Sequence, residues 1–313
     1  MTTNLTALLL ATAMASAPAT GAGAKPPAAS ETGFVRLDED ITLRRLVVRN
    51  DHAKGSVLLL HGFPETILSF KDIAVALGDD YEVHAFDWPG YGQSSRPSPD
   101  RFAYAPADYA RVLKSYIDHE RIDTSTLTIY ATDIGALPVL LLALDEPTIA
   151  RRIIVGDFAP FDRPQYMWEN LRNLKSPAAA GPTRAGMNAT SAEILANVHR
   201  RDLPPELQYD LTPELASDMA DNWNRDGMTS ADAFFHYYAH FTRDQNILEA
   251  NLARLRTPVR VIWGERDLYI RPDMGVEFAN AAGLEIDVVP GLGHFPHLQA
   301  PQRTVEEVRA SFP

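Results

Sequence analysis

The stretch Leu127-Thr128-Ile129-Tyr130-Ala131-Thr132-Asp133-Ile134-Gly135-Ala136 passes from an apolar strand pattern to a helical one through a turn with Asp133 at its apex. Such a turn strains the backbone of its central residue, and the small side chains of Ala131 and Gly135, two places to either side, leave it room. The same turn sets the Asp133 carboxylate beside the amide-rich start of a helix, where negative charge is favoured. Asp133 is therefore a candidate nucleophile; the plainer alternative is a helix N-cap aspartate. Two later strand patterns also end in reactive groups: Val261-Ile262-Trp263-Gly264-Glu265-Arg266-Asp267 in an acid, and Val288-Val289-Pro290-Gly291-Leu292-Gly293-His294 in an imidazole. A histidine base needs a carboxylate to fix its tautomer and stabilise its protonated form, and neighbouring strand ends are where Asp267 and His294 can meet. His61-Gly62-Phe63-Pro64 follows a third strand pattern, where a loop can aim a backbone amide at a developing oxyanion.

These residues need a sheet to bring them together. Strand patterns cover Thr42 to Val48, Val57 to Leu60, Val83 to Phe86, Leu127 to Ala131, Ile153 to Val155, Val259 to Trp263 and Ile286 to Val289. The unbroken run Val57-Leu58-Leu59-Leu60 implies a strand covered on both faces. Helical spacing over Phe70 to Leu77, Pro106 to His119, Ala136 to Leu144 and Val305 to Phe312 alternates with the strands, so the class is α/β with a mainly parallel sheet. The alternation stops after Phe158. Helical patterns such as Ser191 to Val198 and Pro213 to Trp223 then follow Pro- and Gly-containing joints until the sheet resumes at Pro258. This divides the chain into a core domain, 31–160 and 256–313, and an inserted helical cap, 161–255. Residues 1–30 form a leader: Leu5 to Ala17 is apolar like a secretory signal, although no basic residue precedes Lys25. A periplasmic or secreted protein is expected, with a cytoplasmic one as the alternative.

Composition removes whole classes of function. The 313 residues contain no cysteine, so disulfides, thiolate metal sites and a cysteine nucleophile are excluded. Lys plus Arg number 29 against 41 Asp plus Glu, a net charge of -12 that repels a nucleic-acid backbone. Beyond the leader no apolar run reaches membrane-spanning length. No cofactor motif is present. His297 lacks a carboxylate set at metal-ligand spacing and reads as a structural or pocket residue. The loop Phe86-Asp87-Trp88-Pro89-Gly90-Tyr91-Gly92-Gln93-Ser94-Ser95 reads as structural.

From about Phe34 to Phe312 the chain resembles the α/β-hydrolases, in the branch with an aspartate nucleophile that holds epoxide hydrolases and haloalkane dehalogenases. The resemblance implies an eight-stranded sheet, a nucleophile elbow at Asp133, an oxyanion hole from the Phe63 and Ile134 amides, and a relay of Asp267 and His294. Asp157 is the alternative relay acid, because some relatives carry theirs after the preceding strand. With no Gly-x-Ser-x-Gly in the chain, serine esterase chemistry is disfavoured. A carboxylate can instead displace a leaving group at sp3 carbon to give an alkyl ester, which water then hydrolyses. Opening an epoxide also requires a donor to the ring oxygen. The cap segment Phe234-Phe235-His236-Tyr237-Tyr238-Ala239-His240 resembles the epoxide-hydrolase segment that supplies one, which points to Tyr238, with Tyr166 as a second donor. Ile134 stands where haloalkane dehalogenases place Trp and fluoroacetate dehalogenases place Arg. The expected activity is hydrolysis of a small apolar epoxide to a diol. The alternatives are a haloalkane or haloacid dehalogenase and a non-catalytic ligand-binding member of the fold.

Overall fold

The computed structural model describes residues 29–312. The expected leader lies outside these residues except for residues 29 and 30. The strands of the main sheet are β1 (Ser30–Arg36), β2 (Thr42–Val48), β3 (Ser56–Leu60), β4 (Glu82–Phe86), β5 (Leu127–Thr132), β6 (Arg152–Gly156), β7 (Val259–Gly264) and β8 (Ile286–Val289). Their order across the sheet is β1-β2-β4-β3-β5-β6-β7-β8. The pairs β1/β2 and β2/β4 are antiparallel and the others parallel.

The side-chain period of two sorts the central strands onto two cores. Leu58, Leu60, Ile129, Ala131, Ile153 and Val155 face one side, which is covered by α2 (Pro106–Glu120), α3 (Ala136–Asp145) and α9 (Pro272–Ala282). Val57, Leu59, Tyr130, Ile154 and Ile262 face the other, under α1 (Lys71–Leu77) and α11 (Pro301–Arg309). Unbroken apolar runs are thus buried on both faces, as parallel strands require. The last helix begins at Pro301, not near Val305, because proline is preorganised for a first helical turn; it ends before Phe312.

Between β6 and β7 lies the helical insertion: α4 (Glu169–Leu174), α5 (Ala180–Ala189), α6 (Ser191–Asn197), α7 (Pro213–Asp221) and α8 (Ser230–Asn251). Two core arginines seat it. Arg44 forks onto Asp218 with two bonds of 2.7 Å, a bidentate geometry that fixes direction as well as distance. Arg96 donates to the carbonyls of Trp223 at 3.2 Å and Met228 at 2.7 Å, just before α8. Thr229 and Asp232 then close a reciprocal capping box that starts α8. No helix among the described residues is long and apolar enough to cross a membrane.

Candidate active site

Asp133 follows β5 at φ +48°, a left-handed conformation that costs a non-glycine residue about 1–3 kcal/mol unless its surroundings hold it. Close packing against the end of β3 provides that hold. A Cβ at Gly135 would lie 3.2 Å from the carbonyl oxygens of both Leu60 and His61, and one at Gly62 would lie 2.7 Å from the Asp133 Cβ. Gly62 therefore has no room for a side chain while the two loops touch, and Gly135 has little. The contact delivers the Phe63 amide to Asp133 Oδ2 at 2.7 Å, and the Ile134 amide hydrogen-bonds the same carboxylate. His61 locks the first loop from beneath. Its Nε2 accepts from the Trp88 amide at 3.1 Å, so its proton sits on Nδ1, which donates to the Gly62 carbonyl at 2.8 Å.

The other carboxylate oxygen faces His294. Asp133 Oδ1 is 3.9 Å from His294 Nε2, too long for a direct hydrogen bond and suited to a water attacking the carboxyl carbon. His294 Nδ1 donates to Asp267 Oδ2 at 2.9 Å, and Asp267 Oδ1 accepts the amides of Tyr269 and Ile270 at 2.8 and 3.0 Å. Burial pushes the Asp133 carboxyl up to about 6, against the opposing pull of His294 and the two amides. Burial alone would lower His294, but Asp267, with help from Asp133, outweighs it and lifts the imidazole to about 9. In the resting site Asp133 is an anion facing an imidazolium at neutral pH.

Asp157 sits in the same cluster. Its Oδ1 accepts the Gly264 amide at 2.8 Å, its Oδ2 is buried without a partner, and its ligand atoms lie within 4.8 Å of those of Asp267 and His294. Burial and the neighbouring Asp267 charge push its carboxyl well above the usual carboxylate range. These three could be counted as metal ligands, but both oxygens of Asp267 are committed to the imidazole and to backbone amides. Hydrogen bonding sorts the two acids by role, since Asp267 holds the imidazole and Asp157 the Gly264 amide. Asp157→Asn is expected to hold kcat within about tenfold, whereas Asp267→Asn loses about a thousandfold or more, as when a buried relay carboxylate becomes an amide. The reverse order of kcat losses would transfer the relay to Asp157.

Above the carboxylate, Phe63 stacks on Phe234 of α8 at 4.2 Å, and the Tyr238 ring meets Phe234 at 4.7 Å. The Tyr238 hydroxyl makes no hydrogen bond among the described residues, and burial with the nearby Asp133 charge keeps it protonated. Tyr237 is different, since its hydroxyl donates to the Ile134 carbonyl at 3.1 Å. Tyr166 is half-buried and joined by its carbonyl to the Arg271 amide at 2.8 Å; neither it nor Tyr238 is on the cavity wall, and of the two it is Tyr238 that feels the Asp133 charge. A cavity of about 300 Å³ rises from Asp133, His294, Phe63 and Phe295 between α4, α5 and α6. Its wall includes Trp168 and Tyr269, which the sequence did not single out. Tyr269 has a local signal, because it stands two residues after Asp267 and its ring packs on His294 at 5.1 Å.

The model of the alpha/beta hydrolase family matches residues 57–307. The chain belongs to this family. The hydrolase is 23% identical over 293 residues to the (R)-3-hydroxydecanoyl-ACP:CoA transacylase of Pseudomonas aeruginosa, covering 90% of this chain and 89% of that protein. In fold it is similar to the epoxide hydrolase VrEH1 of Vigna radiata, with TM-score 0.69 and 20% identity over 90% of this chain and 97% of that one. It is equally similar to the haloalkane dehalogenase DbeA of Bradyrhizobium elkani, with TM-score 0.69 and 18% identity over 90% of this chain and all of that one (100%).

Proposed function

We propose that this hydrolase opens an epoxide to a diol through an alkyl ester on Asp133. The observation that carries the reading is the division of labour between two oxygens of one carboxylate: Oδ2 is held by the Phe63 amide at 2.7 Å while Oδ1 faces the cavity and His294 at 3.9 Å. Oδ1 attacks a ring carbon, the carbon–oxygen bond breaks, and the ring oxygen takes the Tyr238 proton. Water then adds to the ester carbon and gives a proton to His294. Charge collects on Oδ2 between the Phe63 and Ile134 amides. Collapse breaks the bond from the carboxyl carbon to Oδ1, and His294 returns its proton to the departing alkoxide. The proton released as Asp133 re-ionises restores Tyr238.

The charges keep these steps in order. Alkylation removes the negative charge facing His294, which lowers the imidazole from about 9 and frees it to act as a base when the ester is present. For the free enzyme, kcat/KM is expected to rise with a midpoint at pH about 6, where Asp133 ionises, and to fall about tenfold per pH unit below it. A midpoint in the ordinary carboxylate range would contradict the assignment.

One observation favours a second reading. The Trp223 indole N–H is buried without a partner, and its ring lies edge-on to Phe63 at 5.9 Å; such a donor suits a departing halide. Incubation with an epoxide and a haloalkane of the same carbon skeleton separates the two. Diol from the epoxide supports the first reading, and halide release without diol formation establishes the second.

A further inference from the structure

Glu65 lies just beyond the oxyanion loop and is buried with His297, their side chains 2% and 0% exposed. Its Oε1 meets His297 Nε2 at 2.6 Å, while its Oε2 accepts the Gly62 amide at 2.9 Å. The Glu65 amide in turn donates to the Gly62 carbonyl at 3.1 Å, so one residue closes the turn from both ends. His297, at the start of α10 (Pro296–Gln299), stacks on Phe70 at 4.7 Å and stands three residues after His294. Burying two ionisable groups costs several kcal/mol each before their attraction repays it, and apolar side chains of the same volume often fill such a space at least as stably. What this pair adds is a direct tie between the loop carrying the Phe63 amide and the segment carrying the base.

We propose that Glu65 and His297 are positioning residues for ester hydrolysis, forming a buried strut that holds the Phe63 amide on Asp133 Oδ2 and sets its distance from His294. The inference rests on the ester reading above and assigns the strut to its second step. During alkylation, charge leaves the carboxylate as Oδ1 bonds to carbon, so a well-aimed amide gains nothing as the barrier is climbed. During hydrolysis the water oxygen bonds to the carboxyl carbon, its proton passes to His294 Nε2, and the carbonyl electron pair moves onto Oδ2. The amide is then needed most.

The test is transient kinetics with an epoxide, following ester formation and ester loss by quenched-flow mass spectrometry. Glu65→Ala and His297→Ala are expected to slow ester loss about 10- to 100-fold, part of the 10²–10³ that a lost oxyanion donor costs. Ester formation should stay within about threefold, so kcat and KM fall together. Glu65→Gln keeps an acceptor for the Gly62 amide and His297→Gln keeps a donor to Glu65, so each should restore most of the hydrolysis rate. If Glu65→Ala fails to fold, His297→Ala and the two Gln variants still decide the matter. Equal slowing of both steps, or ester loss at the wild-type rate in folded Ala variants, overturns the strut. A His294→Gln control separates the two levels: an ester there, with none accumulating in the Ala variants, removes the strut alone. No ester in any variant removes the reading of Asp133 and the strut with it.

Discussion

Asp133→Ala is expected to lower kcat/KM by about 10⁴-fold or more, a loss of at least ~5 kcal/mol of transition-state stabilisation. No neighbouring group can replace it. Asp157 has one oxygen on the Gly264 amide and lies behind His294 and Asp267, and Glu65 is committed to His297 and Gly62. The fold should gain from the related Asp133→Asn change. A carboxyl raised from 3.8 to about 6 by burial favours its neutral form in the folded chain, so its ionisation costs stability above that pKa. Two pKa units correspond to about 3 kcal/mol, an upper bound because water reaches part of the group. Thermal unfolding at neutral pH should show Asp133→Asn at least as stable as the wild type. Lower stability together with retained activity would mean that this carboxylate serves the fold and not the chemistry.

His294→Gln is expected to stop the reaction half-way. Glutamine cannot take a proton from water, yet it leaves the Asp133 carboxylate and the Phe63 amide in place. Ester formation should continue to about one equivalent per active site while steady turnover falls about 10³- to 10⁴-fold, as when a general base is removed from a coupled set. The trapped adduct also reports the substrate class. An epoxide adds its whole mass, whereas a haloalkane adds its mass less that of the hydrogen halide. Unchanged turnover would remove His294 from the mechanism.

The legible parts of the sequence were those where local pattern and tertiary demand coincide. β3 and β6 carry the unbroken aliphatic runs Val57-Leu58-Leu59-Leu60 and Ile153-Ile154-Val155, and β8 (Ile286–Val289) coincides with its strand pattern. Asp133, Asp267 and His294 each follow a strand pattern within five residues, and the parallel pairing of those strands brings the three together. The illegible parts depend on partners distant in the chain. Glu65 and His297 are 232 residues apart, and Arg44 and Asp218 are 174 apart; neither pairing leaves a periodic trace. The 22-residue α8 was hidden by composition, since Phe234, Phe235, Tyr237, Tyr238 and Phe241 crowd aromatics onto more than one face and blur the apolar stripe. The cavity wall from α4 and α5 escaped for a related reason, whereas α6 falls on the helical pattern over Ser191 to Val198. α4 and α5 bury little, with Leu174, Ala180 and Met187 the buried positions between them, so they carry weak amphipathic signals.

The most direct measurement is oxygen-isotope transfer in the wild-type enzyme. Turnover of an epoxide in H2 18O, followed by mass spectrometry of the peptide containing Asp133, reports where the water oxygen goes. A carboxylate that bonds to carbon gives its own oxygen to the first diol and takes a replacement from water, so Asp133 should become labelled while the first-turnover diol stays light. An unlabelled Asp133 with heavy oxygen in the first diol would mean that water attacks the substrate directly and that the carboxylate never forms an ester.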